Sequence, residues 1–241
     1  MPRSPRIELA GGIHHVTNRG NRKQRIFRDN ADRFFFLREL ARTTARHQWN
    51  CLSYCLMENH FHLVIETPEA TLGQGMHQLG SHYAHEFNRR HGTGGGHLFQ
   101  ERFGSVLVRS DAQFAQLLRY VALNPVKAGL CEEPARWRWS SHRALLHDSP
   151  ARARVEALLE VWGGEPGTRY AHLFNPGHVL EARFGSDDPW THRPPLEELL
   201  RGENLDEAMR CARAHRYTLR EIAAAVGMDA STVSRRTRRA S

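Results

Sequence analysis

Two rhythms of apolar and polar residues divide the first half of the chain: alternation marks strands, and recurrence every three or four positions marks helices. Gly12–Thr17 (GIHHVT) reads as a short strand, closed by the turn-forming run Asn18-Arg19-Gly20-Asn21. Asp29 and Asn30 can cap a helix reaching about His47, with Phe34, Phe35, Leu37, Leu40 and Ala41 on its apolar side. Trp49–Met57 is a second strand, Glu58-Asn59 a tight connection, and His60–Thr67 a third strand. Thr71 and Gln74 have capping-box spacing and open a helix that ends near Gly92, ahead of the glycine-rich loop through Gly96. Phe99–Val108 is extended again. Ser110 and Gln113 repeat the capping spacing and begin a helix expected to end before Pro125. The order β-α-β-β-α-β plus one more helix predicts an α+β fold: a ferredoxin-like, RRM-like antiparallel sheet with helices on one face.

The character changes around His147. Residues 148–203 are rich in Pro, Gly and short polar stretches, with one helix at Ala151–Trp162, and read as a partly helical connector. From Asn204 the pattern is helical: one amphipathic helix over Asn204–His215, a second over Leu219–Val226 capped by Thr218, a turn at Gly227-Met228-Asp229 and a third helix from about Ala230. Small Ala223, the permissive Gly227 and the inward Val233 fit helix-turn-helix spacing. The expected organisation is therefore a core domain over 1–147, a connector over 148–203 and a small all-α module over 204–241.

Composition adds a polyanion to this picture. The net charge is +8, and a basic surface attracts phosphate. Of 34 basic residues only Lys23 and Lys127 are lysine. Arginine suits bidentate phosphate contacts, although GC-rich coding DNA produces the same bias. From Leu205 to Ser241 eight arginines face four acids, and the outward side of the third helix would present Ser231, Thr232, Arg235, Arg236 and Arg239 to DNA. A small helical bundle with a solvated tail is the plain alternative. Four cysteines without a CxxC pair read as reduced thiols, not as a zinc site or disulfide framework. No apolar run spans a bilayer, and the opening residues lack a secretory signal, so the expected location is cytoplasmic, on the nucleoid.

The candidate chemistry begins with Met57-Glu58-Asn59-His60-Phe61-His62. Alternate strand residues share a face, so His60 and His62 point together and can grip one divalent ion. A bare HxH is weak, because the chain has 16 histidines. Tyr120 and Asn124 are one helical turn apart: a nucleophilic oxygen beside a neutral hard ligand. Two imidazoles and one amide suit Mg²⁺ or Mn²⁺ with positions left open. Spacing alone equally allows a tyrosine packed on the sheet and an asparagine at a helix end.

Four segments in order carry a resemblance. Tyr54–Ile65 (YCLMENHFHLVI), Gly96–Ser105 (GHLFQERFGS), Arg119–Leu130 (RYVALNPVKAGL) and Trp139-Ser140-Ser141 resemble the REP-associated tyrosine transposases, which are single-tyrosine members of the HUH superfamily related to insertion-sequence transposases. The likeness covers about residues 10–145. It implies a ferredoxin-like sheet with the two histidines on a central strand, His60 and His62 as the metal pair, Tyr120 as the nucleophile and Asn124 as the third protein ligand. Two positions depart from the family pattern: Glu58 stands where proline is common, and His142 where an aromatic residue often follows Trp-Ser-Ser.

The resemblance implies a transposase-like endonuclease and strand-transferase acting on single-stranded hairpin or palindromic repeat DNA through a 5′-phosphotyrosine bond; separately, the helix-turn-helix spacing and arginine surplus of the C-terminal module make duplex DNA a further expected partner. Related insertion-sequence transposases act as dimers; the reading here leans to a monomer. An ordinary tyrosine is only about 0.1–1% phenolate near neutral pH, so a base or positive charge is needed, and His82 and His85 are the candidates by chemistry. The alternative is a non-catalytic DNA-binding regulator on a decayed core. A metal-dependent hydrolase of small substrates would share only the histidine pair.

Overall fold

The computed structural model describes residues 8–93, 95–162, 165, 167–174, 196–200, 204–214 and 217–238. They form two compact units, one within 8–174 and one within 196–238, each described separately.

In the first unit a four-stranded antiparallel sheet is made of β1 (Gly12–Arg19), β2 (Asn50–Leu56), β3 (His60–Thr67) and β4 (Gly104–Leu107), in the order β2-β3-β1-β4. That is the order the split βαβ plan requires. β3 lies centrally, so both its faces must be covered, and it is buried from Phe61 to Thr67. Phe61, Leu63 and Ile65 point into a core with Val16 of β1, Phe36 and Leu40 of α1 (Asn30–His47), and Leu72, Met76, Leu79, Tyr83 and Phe87 of α2 (Leu72–His91).

The opposite face has its own core. Val64 and Leu52 pack there against Phe114, Ala115, Leu117, Leu118 and Val121 of α3 (Asp111–Lys127). The cover continues past His147: Val155 of α5 (Pro150–Leu158), Leu159, Tyr170 of α6 (Arg169–His172) and Leu173 belong to this core, and α4 (His142–Leu146) adds Leu145. Segments 150–159 and 169–174 thus pack on the sheet, and Arg154 ties α5 to β3 by donating from Nε to Glu66 Oε2 at 2.9 Å. Connector residues 163, 164, 166, 175–195 and 201–203 lie outside the described residues.

Several local expectations need correction. The buried stripe of α1 is Phe36 and Leu40, whereas Phe34 faces out at 57% exposure and meets Trp139 edge-on. Asp29, not Asn30, caps the helix, in a complete box with Asp32. Thr71 caps α2 without its side chain, because its hydroxyl accepts the indole N–H of Trp49 at 2.9 Å. The helix α3 runs through Pro125 to Lys127. So near the C-terminus the proline removes one hydrogen bond of the last turn, and the ladder closes with Ala128 N donating to Asn124 O. Cys51, Cys55 and Cys131 are free thiols, and burial pushes the Cys51 thiol up to about 12.

The second unit holds α7 (Leu196–Leu199), α8 (Leu205–Ala214), α9 (Leu219–Val226) and α10 (Ala230–Arg238) around Met209, Ala212, Ile222, Ala223 and Val233. Thr218 and Glu221 form a capping box, and Gly227 ends α9 in the left-handed conformation at φ +67° that lets the chain turn sharply. Among the described residues no helix is long and apolar enough to cross a membrane.

Candidate functional site

Strand register assembles the site. In the β1–β3 pair Arg19 lies opposite His60 and Thr17 opposite His62. Directly paired residues share a sheet face, so His15, Thr17 and Arg19 of β1 line the same face as His60, His62 and Val64 of β3. The His60 and His62 rings have centroids 5.0 Å apart and stand nearly perpendicular. His62 is fully buried and His60 half-buried, so the pair runs from the interior toward solvent.

Tyr120 reaches this face from α3. Its ring is half-buried and stands edge-on to His62, with centroids 5.4 Å apart and planes at 89°, and edge-on to His15 at 6.0 Å. The Lys127 ammonium sits over the Tyr120 ring, 5.5 Å from its centroid, which places a positive charge beside the phenol. Asn124 is one turn on, with its side chain folded onto its own helix: Nδ2 donates to Tyr120 O at 3.0 Å. The structure therefore brings His60, His62 and Tyr120 together and keeps Asn124 on the same helix face as the tyrosine.

Burial, followed by the neighbouring His60 and His15, holds the His62 imidazole well below the usual histidine range. A neutral imidazole is the form that ligates a metal. Among the described residues His62 Nε2 is buried without a hydrogen-bond partner. An orphaned imidazole nitrogen next to a second imidazole fits a divalent cation. A separate group, Asp29, Asp32 and His91, also gathers ligand-type atoms. Arg90 already pairs with both carboxylates, and Asp32 accepts the backbone N–H of Arg28, so this group clamps the start of α1 to the end of α2.

The other motif residues hold the site in place. The Trp139-Ser140-Ser141 strip lies along the outer edge of β2: Leu56 N donates to Trp139 O at 2.8 Å, and Tyr54 N to Ser141 Oγ at 2.9 Å. It covers an exposed strand edge. Leu98 O receives Asn21 N and Gln24 Nε2, and Gln100 N donates to Arg19 O, which anchors the end of β1 beside His60. Glu58 offers its carbonyl to Ile26 and Phe27 and pairs its carboxylate with Arg25 at 3.1 Å. His142 occupies an aromatic slot against Tyr170 and Phe174, with Nδ1 2.8 Å from the Tyr170 hydroxyl.

Sequence reasoning missed His15, whose Nε2 lies 3.0 Å from His62 Nδ1. Its signal is strand parity with Thr17 and Arg19, readable only once the register with β3 is known. The candidate bases His82 and His85 lie on α2, against the other face; His82 Nδ1 is 3.4 Å from Glu39. Neither is positioned to serve Tyr120.

In the second unit Ser231 and Thr232 are drawn to Asp229 at the start of α10: both backbone N–H groups and the Ser231 and Thr232 hydroxyls reach its carboxylate. Those hydrogen bonds hold the Asp229 carboxyl far below the usual range. Arg236 pairs with Asp206 at 2.6 Å, whereas Arg235 is exposed and donates to Thr232 Oγ1. Arg239 lies outside the described residues.

Comparison with known proteins places this geometry. Residues 10–124 match the family model described as transposase IS200 like. The chain is similar to a Haemophilus influenzae protein described as a REP-associated tyrosine transposase, at 28% identity over 135 residues, which cover 52% of this chain and 72% of that protein. Its fold is similar to that of a solved REP-associated tyrosine transposase bound to a REP hairpin, with a TM-score of 0.51 at 18% identity, covering 68% of this chain and 93% of that one.

Proposed function

We propose that the protein cleaves and rejoins single-stranded hairpin DNA through Tyr120, a reading supported by the match of residues 10–124 to the family model described as transposase IS200 like. The observation that carries this reading is the edge-on stand of the Tyr120 ring against buried His62, at 5.4 Å. His60 and His62 would hold Mg²⁺ or Mn²⁺ through their imidazoles. Asn124 would be the third ligand through its carbonyl oxygen, since its amide nitrogen is engaged with Tyr120 O. A bound cation would supply Lewis-acid stabilisation of charge on the scissile phosphate.

The Tyr120 hydroxyl releases its proton to solvent as its oxygen attacks phosphorus, the bond to the 3′-oxygen breaks, and the departing oxygen takes up a proton from solvent to become a free 3′-hydroxyl, so no net proton is gained or lost. The 5′-phosphotyrosine bond conserves the energy of the phosphodiester, so attack by a 3′-hydroxyl reseals DNA without a nucleotide cofactor. Lys127 supports the developing negative charge from over the ring. The solved relative is bound to a REP hairpin, and folded single strands of that kind are the substrate class proposed here. Catalysis belongs to the sheet-bearing domain expected over 1–147, whose core is completed by Val155, Leu159, Tyr170 and Leu173, acting as a monomer on DNA in the cytoplasm. The module over 204–241 binds duplex DNA through Ser231, Thr232, Arg235, Arg236 and Arg239.

Incubation with end-labelled hairpin DNA and Mn²⁺, followed by denaturing electrophoresis, should show a protein–DNA adduct. Tyr120→Phe should remove the adduct and retain hairpin binding. An adduct that persists in this variant overturns the assignment, and retained binding with no adduct from the native protein would leave a DNA-binding regulator.

A further inference from the structure

We propose that His15 and Asn59 are positioning residues that hold His62 and His60 each with its proton on Nδ1, so that both rings offer Nε2 as a lone pair. This rests on the reading of His60 and His62 as ligands, and it adds how the ring orientation and tautomer are set before any cation binds. A ligating imidazole usually donates its other N–H to a neighbouring acceptor, and that partner fixes which nitrogen is free.

For His60 the amide of Asn59 settles the choice. Asn59 Nδ2 donates to Lys23 O at 3.2 Å, which fixes the amide so that Oδ1 faces His60 Nδ1 at 2.7 Å. The opposite amide orientation would set two carbonyl oxygens against each other. An amide oxygen only accepts, so His60 Nδ1 must donate and carry the proton. Asn59 is itself held, because its main-chain carbonyl receives Gly20 N at 2.8 Å. The turn after β1 and the first histidine are therefore joined through one side chain.

For His62 the partner is another imidazole, and burial decides. The His15 and His62 rings are nearly parallel, at 15°, with centroids 5.3 Å apart and His15 Nε2 3.0 Å from His62 Nδ1. Were His15 the donor, the proton of neutral His62 would sit on Nε2, a buried N–H with no acceptor among the described residues. With His62 as donor, Nε2 is instead a buried lone pair on the face that carries His60 and Tyr120. Only this second arrangement leaves an atom that a cation satisfies.

The test uses full-length, ¹⁵N-labelled protein without divalent ions, so it does not depend on DNA cleavage. Long-range ¹H–¹⁵N correlation spectra should show His60 and His62 both protonated at Nδ1. In Asn59→Leu and His15→Phe the corresponding ring should lose that single tautomer. Asn59→Asp and His15→Gln, which keep an acceptor in reach, should retain it. Mn²⁺ affinity, read from the paramagnetic resonance of the free ion, should fall about 10–100-fold in the apolar variants and recover most of the way in the conservative ones. An Nε2-protonated His62 in the native protein, or the native tautomer surviving in His15→Phe, overturns the proposal. If the native protein binds no Mn²⁺, the reading of the pair as ligands fails, while the tautomers still decide whether His15 and Asn59 set the rings.

Discussion

Cutting Tyr170 back to alanine measures whether the chain beyond His147 is part of the fold that carries the site. Tyr170 is fully buried in the second core, its hydroxyl meets His142 Nδ1 at 2.8 Å, and its backbone N–H donates to buried Glu156 at 2.9 Å. Removing a buried aromatic ring costs about 3–5 kcal/mol, and leaving His142 without its partner adds about 1 kcal/mol or more. For a unit of this size that total lowers Tm by about 10–20 °C. The assay is urea and thermal unfolding of the full chain by circular dichroism, with Tyr170→Phe as the control that loses the hydrogen bond alone, about 1–2 kcal/mol. A Tyr170→Ala loss below about 1 kcal/mol, the size of a surface substitution, would refute the reasoning and return 148–174 to the status of a tether. The same pocket predicts a pH dependence. Burial holds the His142 pKa down to about 4, so the unfolded chain binds the proton first as pH falls. The contribution of this group is complete above about pH 6.5 and is lost as pH drops toward about 4.

Three further outcomes follow from the geometry. Asp32→Asn removes the carboxylate that completes the α1 capping box and receives Arg90 and His91; it should cost about 2–4 kcal/mol in thermal unfolding while leaving hairpin cleavage intact at permissive temperature. The Arg154 guanidinium holds the Glu66 carboxyl below its usual range, so this pair stabilises above about pH 4.5 and fades as pH falls below it; Arg154→Gln should flatten the acid limb of a stability–pH curve. Arg235→Ala should weaken duplex binding and flatten its salt dependence without changing stability. Arg236→Ala, which also frees Asp206, should weaken duplex binding and in addition lower the unfolding midpoint of the second unit.

The parts legible in the sequence are those set by local periodicity. Alternation from His60 placed the two histidines on one face and Phe61 on the other, as observed. The turn at Gly227 was readable because a left-handed helix end favours glycine. Local rules failed where a distant partner competes. Three consecutive phenylalanines let α1 rotate, and Trp139, over one hundred positions away, gives Phe34 a surface to rest on while Phe36 turns inward. Trp49 takes the Thr71 hydroxyl that the capping box would need. The burial of Tyr170 and Leu173 was invisible because the segment carrying them is polar, and only the two large side chains betray it. His15 was missed for the same kind of reason: its meaning comes from a strand pairing 47 positions away.

The placement of the site follows from the sheet's two-sidedness. A central strand must bury both faces, and here the first face is sealed by α1 and α2 along the length of β3. On the second face the apolar cover runs out. Val64 lies under α3, His62 is still fully enclosed, and His60 is half-open. Along the same line α3 passes from buried Phe114 and Val121 to half-buried Tyr120 and exposed Lys127. The candidate side chains His60, His62 and Tyr120 therefore occupy the rim where a dry core meets solvent. For the proposed cleavage that position would serve opposite needs at once: an imidazole kept neutral by desolvation inside, and access for a phosphate from outside. A site deeper under α3 would exclude the DNA backbone, and one further out would surrender the burial that keeps His62 unprotonated. Chemistry at this boundary depends on the length of the apolar cover, so enlarging the residues that end it should close the site, and shortening them should flood it.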